Sequence, residues 1–128
     1  MTVAVHDGVS ALRIENLHAW YGESHILHGM SFALQRGEVV ALLGRNGSGR
    51  TTTLRAIMGL VDRREGIISI GEVNAILLPP HLVARLGVGY CPEERGIFAS
   101  LSCEENLLLP PAQSIGGMSL EEIYALLP

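Results

Sequence analysis

Residues 39–60 read VVALLGRNGSGRTTTLRAIMGL, and few folds accommodate such a stretch. Val39, Val40, Ala41, Leu42 and Leu43 make a short continuous apolar run, the pattern of a buried strand. Gly44, Arg45, Asn46, Gly47, Ser48 and Gly49 follow as a glycine-rich turn, and Arg50, Thr51 and Thr52 come next. Leu54, Ile57, Met58 and Leu60 then recur at helical spacing. Strand, glycine loop and helix in that order are the setting of a phosphate-binding loop. Glycines let the backbone come close to a ligand, so that successive N–H groups and the helix N-terminus face one anion. A strand-to-helix turn that holds no ligand is the alternative reading of the same residues.

One residue departs from the phosphate-loop pattern G-x-x-x-x-G-K-[ST]: Arg50 stands in the lysine position. The charge is kept, but a compact ammonium on a flexible stem is replaced by a wide planar fork. The sequence has no lysine, and all nine of its basic residues are arginines, so Arg50 also follows a bias of the whole chain.

With 128 residues and 48% hydrophobic content, the chain is long and apolar enough for one domain with a core. A net charge of −4 argues against a nucleic-acid binder, which needs clustered basic residues. No apolar run approaches the roughly 18 residues that a membrane-spanning helix requires. The first residues, MTVAVHDGVS, lack the basic start and apolar centre of a signal peptide, so an intracellular setting is expected. Cys91 and Cys103 match neither a metal pair nor a disulfide framework.

Residues 1–10 read as a loose extension, and 11–128 as the folded part. Two alternating segments, residues 12–17 and 26–34, suggest strands ahead of the glycine loop, hence a β-rich subdomain leading into an α/β core. Between them, Tyr21 is either packing beside a glycine or an aromatic face for a nucleotide base. Residues 61–66 read as a polar turn, 67–70 as a short strand, 80–86 as a helix opened by Pro79 and Pro80 and closed by Gly87, and 88–91 as another strand. Ser102 with Glu105 and Ser119 with Glu122 form two capping boxes, each starting a helix, with a loop at Pro110, Pro111, Gly116 and Gly117 between them. His25 and His28, three apart on a strand, should point to opposite faces, and the histidines give no metal spacing.

The order Tyr21, GRNGSGRTT and GYCPEERGIFASLSCEENL resembles the ATP-binding subunits of ABC transporters. Within that family the phrases GRNG-x-G-x-TT and Y-x-PE-x-R-x-IF are most similar to importers of branched-chain amino acids and the related urea and amide importers. The resemblance implies a P-loop NTPase fold, with residues 11–128 an incomplete ABC ATP-binding domain covering about its first half. It implies ATP and Mg²⁺ as cofactors. Tyr21 would stack on adenine, and Gly44, Asn46, Gly47, Ser48, Gly49, Arg50, Thr51 and Thr52 would hold the phosphates. Thr51 would ligate Mg²⁺. Glu93 falls at the Q-loop position, usually glutamine but commonly glutamate in the branched-chain subgroup, and a carboxylate there suits Mg²⁺.

The implied partners are a second ATP-binding subunit, membrane permease subunits reached through residues 95–109 and, indirectly, a periplasmic solute-binding protein. The implied location is cytoplasmic, peripheral on the inner face of the plasma membrane. The Leu-Ser-Gly-Gly-Gln-type signature, the catalytic glutamate and the switch histidine of the family do not occur in this sequence. Weak Mg-ATP binding and negligible hydrolysis are therefore expected of the chain alone, together with marginal stability. A non-catalytic fragment that binds nucleotide or permease and regulates a transporter is the alternative; a small kinase fits less well.

Overall fold

The computed structural model describes residues 10–45, 47–94, 96–109 and 117–127. They divide into two units, Met1–Val88 and Gly89–Pro128. The first holds a four-stranded antiparallel sheet in the order β2-β1-β3-β4. β1 is Leu12–Tyr21, β2 Ser24–Leu34, β3 Arg63–Ile70 and β4 Val73–Asn74. Helices α1, Arg50–Met58, and α2, Pro80–Arg85, complete the unit. The two expected early strands are therefore present, joined by a two-residue turn at Gly22 and Glu23 that brings Tyr21 opposite Ser24.

The buried face of the sheet follows from alternation interrupted by a bulge. Ile14, Leu17, Ala19, Leu27 and Ile68 are buried from the sheet, and Ala56, Ile57 and Met58 from α1. Between Ile14 and Leu17, β1 carries one residue more than either neighbouring strand. Asn16 absorbs it at φ 49°, and its N–H donates to Ser31 Oγ at 2.9 Å. The bulge dictates its neighbour: a Cβ on Gly66 of β3 would lie 2.5 Å from the Asn16 carbonyl oxygen, and Gly66 sits at φ 118°. Residues 63–66, read from sequence as part of a turn, thus belong to β3. Their polarity reflects a stretch of strand with Arg63 and Glu65 in solvent and Arg64 held among backbone carbonyls, rather than a break in it.

Bulges also reverse the expectation for the histidines. Leu27 pairs with Ala19 and His25 with Trp20, so Ile26 is an extra residue on β2. The odd spacing plus one bulge puts His25 and His28 on the same face, with ring centroids 4.0 Å apart. Trp20 stacks on His25 at 4.4 Å, and the Arg63 guanidinium lies over Trp20 at 3.9 Å.

Arg64, the next residue on β3, turns to the opposite face. Its guanidinium donates to the carbonyls of Ala56 and Ile57 at the end of α1 and to those of Ala75, Ile76 and Leu78 in the approach to α2. A cation at a helix C-terminus is also favoured by the helix dipole. Burial lowers the pKa of Arg64 from its ordinary value, and the ring of carbonyls replaces the water that is lost.

Two expected strands do not form. Residues 39–43 alternate between exposed and half-buried, with Val39 96% and Leu43 78% exposed, and pair with none of the four strands. An apolar run specifies that a strand wants burial; it does not supply the neighbours on which a buried strand depends. Residues 88–91 form no strand either, for the same lack of a partner among the described residues.

In the second unit, α3, Cys103–Leu108, and α4, Leu120–Leu126, start where the capping boxes place them. Ser102 Oγ accepts from the Glu105 N–H at 3.1 Å, and Ser119 Oγ accepts from the Glu122 N–H at 3.2 Å. Neither helix has a buried residue. The expected loop at Pro110, Pro111 and Gly116 lies outside the described residues. No helix among the described residues is long and apolar enough to cross a membrane.

Candidate functional site

The glycine loop is shaped by close contacts at two of its glycines. At Gly44 an added Cβ would collide with Ser48 Oγ, so residues 44 and 48 close the loop against each other. The Ser48 N–H donates to the Arg45 carbonyl at 3.0 Å. Gly49, at φ 94°, precedes the first helical residue, and a Cβ there would lie 2.7 Å from Leu27 Cδ2 of β2. The loop is thereby pressed onto the sheet at the point where α1 begins. An open cleft of about 390 Å³ runs along this junction, lined by Ile26, His28, Met30 and Ser48 among others.

The first turn of α1 leaves N–H groups without intrahelical partners, as every helix start does. Gly49 has no side chain to cap them, and the turn contains no acidic residue to repel an anion. Arg50 is half-buried and Thr51 exposed. Thr52 is buried at 7% exposure, and Thr53 is fully buried, its hydroxyl donating to the Gly49 carbonyl at 2.7 Å beside Met30 Sδ. Thr53 therefore locks the loop's last glycine, a role that its sequence position did not reveal. Residues 44, 47, 48, 49, 50, 51 and 52 are brought together as one turn-and-helix start. Asn46 lies outside the described residues.

Tyr21 ends β1 and is half-buried. Its hydroxyl accepts from Arg55 Nε of α1 at 3.1 Å. The neighbouring Gly22 N–H donates to Asp62 Oδ2 at 2.5 Å, fixing the hairpin turn to the segment that leads into β3. Arg55, Asp62 and Arg64 carry no motif signal; each matters through a partner distant in sequence.

Glu93 belongs to the second unit, where it is exposed. There Asn106 of α3 bonds both ways with Phe98, accepting its N–H at 2.9 Å and donating to its carbonyl at 3.1 Å. The Asn106 amide also donates to the Ser102 carbonyl at 2.9 Å. This side chain folds residues 98–102 over α3. An apolar cleft of about 620 Å³ results, lined by Ile97, Phe98, Leu101, Cys103, Leu107 and Leu109. Ile97 and Phe98 are 67% and 60% exposed, too open for residues serving only as core.

Comparison with known proteins bears on this geometry. The ABC transporter family profile matches residues 27–127. The chain belongs to the ABC transporter family. It carries part of an ABC ATP-binding domain, the P-loop NTPase class expected from its motifs. Among its curated relatives, the lipopolysaccharide export system ATP-binding protein LptB of Escherichia coli K12 is 40% identical over 100 residues, 78% of this chain and 42% of that protein. A probable branched-chain amino acid transport ATP-binding protein, LivF, of Archaeoglobus fulgidus is 38% identical over 96 residues, 75% of this chain and 41% of that protein. An uncharacterized ABC transporter ATP-binding protein of Rhizobium meliloti is 41% identical over 104 residues, 81% of this chain and 38% of that protein. The ABC chain described here thus spans about two-fifths of the length of these relatives.

The residues present fit a nucleotide triphosphate. Glycine at positions 44 and 49 lets the loop close on Ser48 and Leu27 and brings it to the start of α1. An uncapped helix start and Arg50 supply positive potential. The exposed Thr51 hydroxyl is an oxygen donor suited to Mg²⁺.

Proposed function

We propose that this chain forms the phosphate-binding side of an Mg-ATP site in the ATP-binding subunit of an ABC transporter. The observation that carries the reading is the closed glycine loop, Gly44 against Ser48 and Gly49 against Leu27, delivering an uncapped helix start at Arg50. Gly44, Asn46, Gly47, Ser48, Gly49, Arg50, Thr51 and Thr52 hold the phosphates, Thr51 and Glu93 serve the magnesium ion, and Tyr21 receives the base. The bound magnesium supplies charge neutralisation to the phosphates.

The transported solute in this reading is a branched-chain amino acid, moving inward. The phrase PEERGIF, with glutamate at position 93, and the likeness to LivF support it. A lipopolysaccharide-export role is the second reading, favoured by the likeness to LptB. Partners are a second ATP-binding subunit and permease subunits, with a periplasmic solute-binding protein engaged through the permease. The apolar cleft at Ile97 and Phe98 supports a permease contact, and in this reading the assembled subunit works at the cytoplasmic membrane face.

Titration of the chain with a fluorescent ATP analogue and Mg²⁺ tests the site. Saturable binding, competed by ATP and tightened by Arg50→Lys, is the expected result, with hydrolysis at background. No competable binding by either protein would refute it. Co-expression with permeases of the two transport classes separates importer from exporter: the partner retained through purification identifies the system.

A further inference from the structure

The hydrogen bond between Arg55 and Tyr21 joins two parts of the site that the sequence separates by 34 positions. Arg55 lies on α1, the helix that opens with the phosphate loop. Its Nε donates to the Tyr21 hydroxyl at 3.1 Å, and one terminal nitrogen donates to the Leu60 carbonyl at 3.2 Å, just past the Gly59 cap. A planar guanidinium held in two directions at once has a fixed orientation. It therefore fixes the outer end of the Tyr21 ring, whose inner end is set by β1 and by the Gly22 bond to Asp62. A half-buried tyrosine tethered only through its backbone would exchange among staggered rotamers.

We propose that Arg55 is a positioning residue for base recognition: it sets the Tyr21 ring for stacking on a purine from the same helix that presents the phosphate loop. The inference rests on the reading of Tyr21 and residues 44–52 as a nucleotide site. Base and phosphate recognition then share one rigid element, and a change in the pose of α1 is felt at both ends of the nucleotide. Arg55 does not touch the phosphates in this scheme, so its loss acts on ligands with a base and spares those without one.

The test compares Mg-ATP with Mg-tripolyphosphate, binding each to the full chain and to four variants whose unfolding midpoints are measured in parallel. Arg55→Gln is expected to weaken Mg-ATP about fivefold, the effect of one hydrogen bond, and to leave Mg-tripolyphosphate unchanged. Tyr21→Phe keeps the ring, removes the acceptor and should give the same loss. Arg55→Lys keeps a donor and should recover part of it. Equal loss for both ligands in Arg55→Gln, or full ATP affinity in Tyr21→Phe, would overturn the inference. Tyr21→Ala separates the two levels. If it weakens ATP while Tyr21→Phe and Arg55→Gln do not, the base site stands and the positioning role falls. If Tyr21→Ala is also without effect, or the unaltered chain binds neither ligand, the nucleotide reading itself fails.

Discussion

The helices of the two units are built by opposite means. α1, in the unit Met1–Val88, has no side-chain cap, yet it buries Thr52, Thr53, Ala56, Ile57 and Met58. α3 and α4, in the unit Gly89–Pro128, bury nothing, yet each carries a complete capping box and two glutamates in its first turn. Packing holds the first helix in place; local hydrogen bonds and charge complementarity hold the other two. The difference bears on function. A helix start with no side-chain cap can receive an anion, whereas one closed by its own serine and glutamate cannot.

The contrast is broken most readily in the core. Ile68 is fully buried in β3, and Ile68→Ala is expected to cost about 2–5 kcal/mol through lost transfer energy and the cavity left behind. Chemical denaturation followed by Trp20 fluorescence measures it; a cost under 1 kcal/mol would mean that the sheet is not packed as described. Arg64→Ala comes next, at about 2–3 kcal/mol, because it strips partners from carbonyls at the end of α1 and ahead of α2. Faster amide exchange at the end of α1 should accompany it.

The capping boxes give a smaller and local effect. Ser102→Ala should lose about 1 kcal/mol in α3 alone, read as faster amide exchange at residues 103–106 with the sheet amides unchanged. A matching change throughout the first unit would show that the two units unfold together. Acidity acts on the first unit. Desolvation lowers the His25 pKa, aided by His28, His18 and Arg63 and opposed by a backbone bond at Leu27. Folding thus favours the neutral ring, so this contribution is full above the unfolded value of 6.5 and declines as pH falls through it. Unfolding midpoints taken from pH 8 to 5.5 should show a drop that His25→Asn reduces. The least effect is expected at Val39: with its side chain in solvent, Val39→Ser should shift stability by less than about 0.5 kcal/mol. A loss of several times that size would reveal a partner for residues 39–43.

Much of the architecture can be read from local patterns. Two early strands, both capping boxes, the start of α2 after Pro79 and the glycine loop all announce themselves within a few residues, whereas the two-residue turn that makes β1 and β2 a hairpin does not. So does the family, through short phrases such as GRNGSGRTT and PEERGIF. The candidate site is legible to the same degree, since residues 44–52 are contiguous. Its braces are not: Arg55 reaches Tyr21, Asp62 reaches Gly22, and Thr53 reaches back to Gly49 beside Met30.

The sequence alone determined where helices begin and where turns need glycine, because these depend on backbone sterics and hydrogen bonds over a handful of residues. Tertiary structure decided the rest. It fixed which apolar runs become strands: residues 67–70 find β1 as a partner, whereas 39–43 find none among the described residues. It turned His25 and His28 to one face through a bulge, and it gathered around Arg64 carbonyls from two separate segments. Strand pairing and burial are satisfied by groups far away along the chain, so a short window of sequence states the need for a partner without naming it.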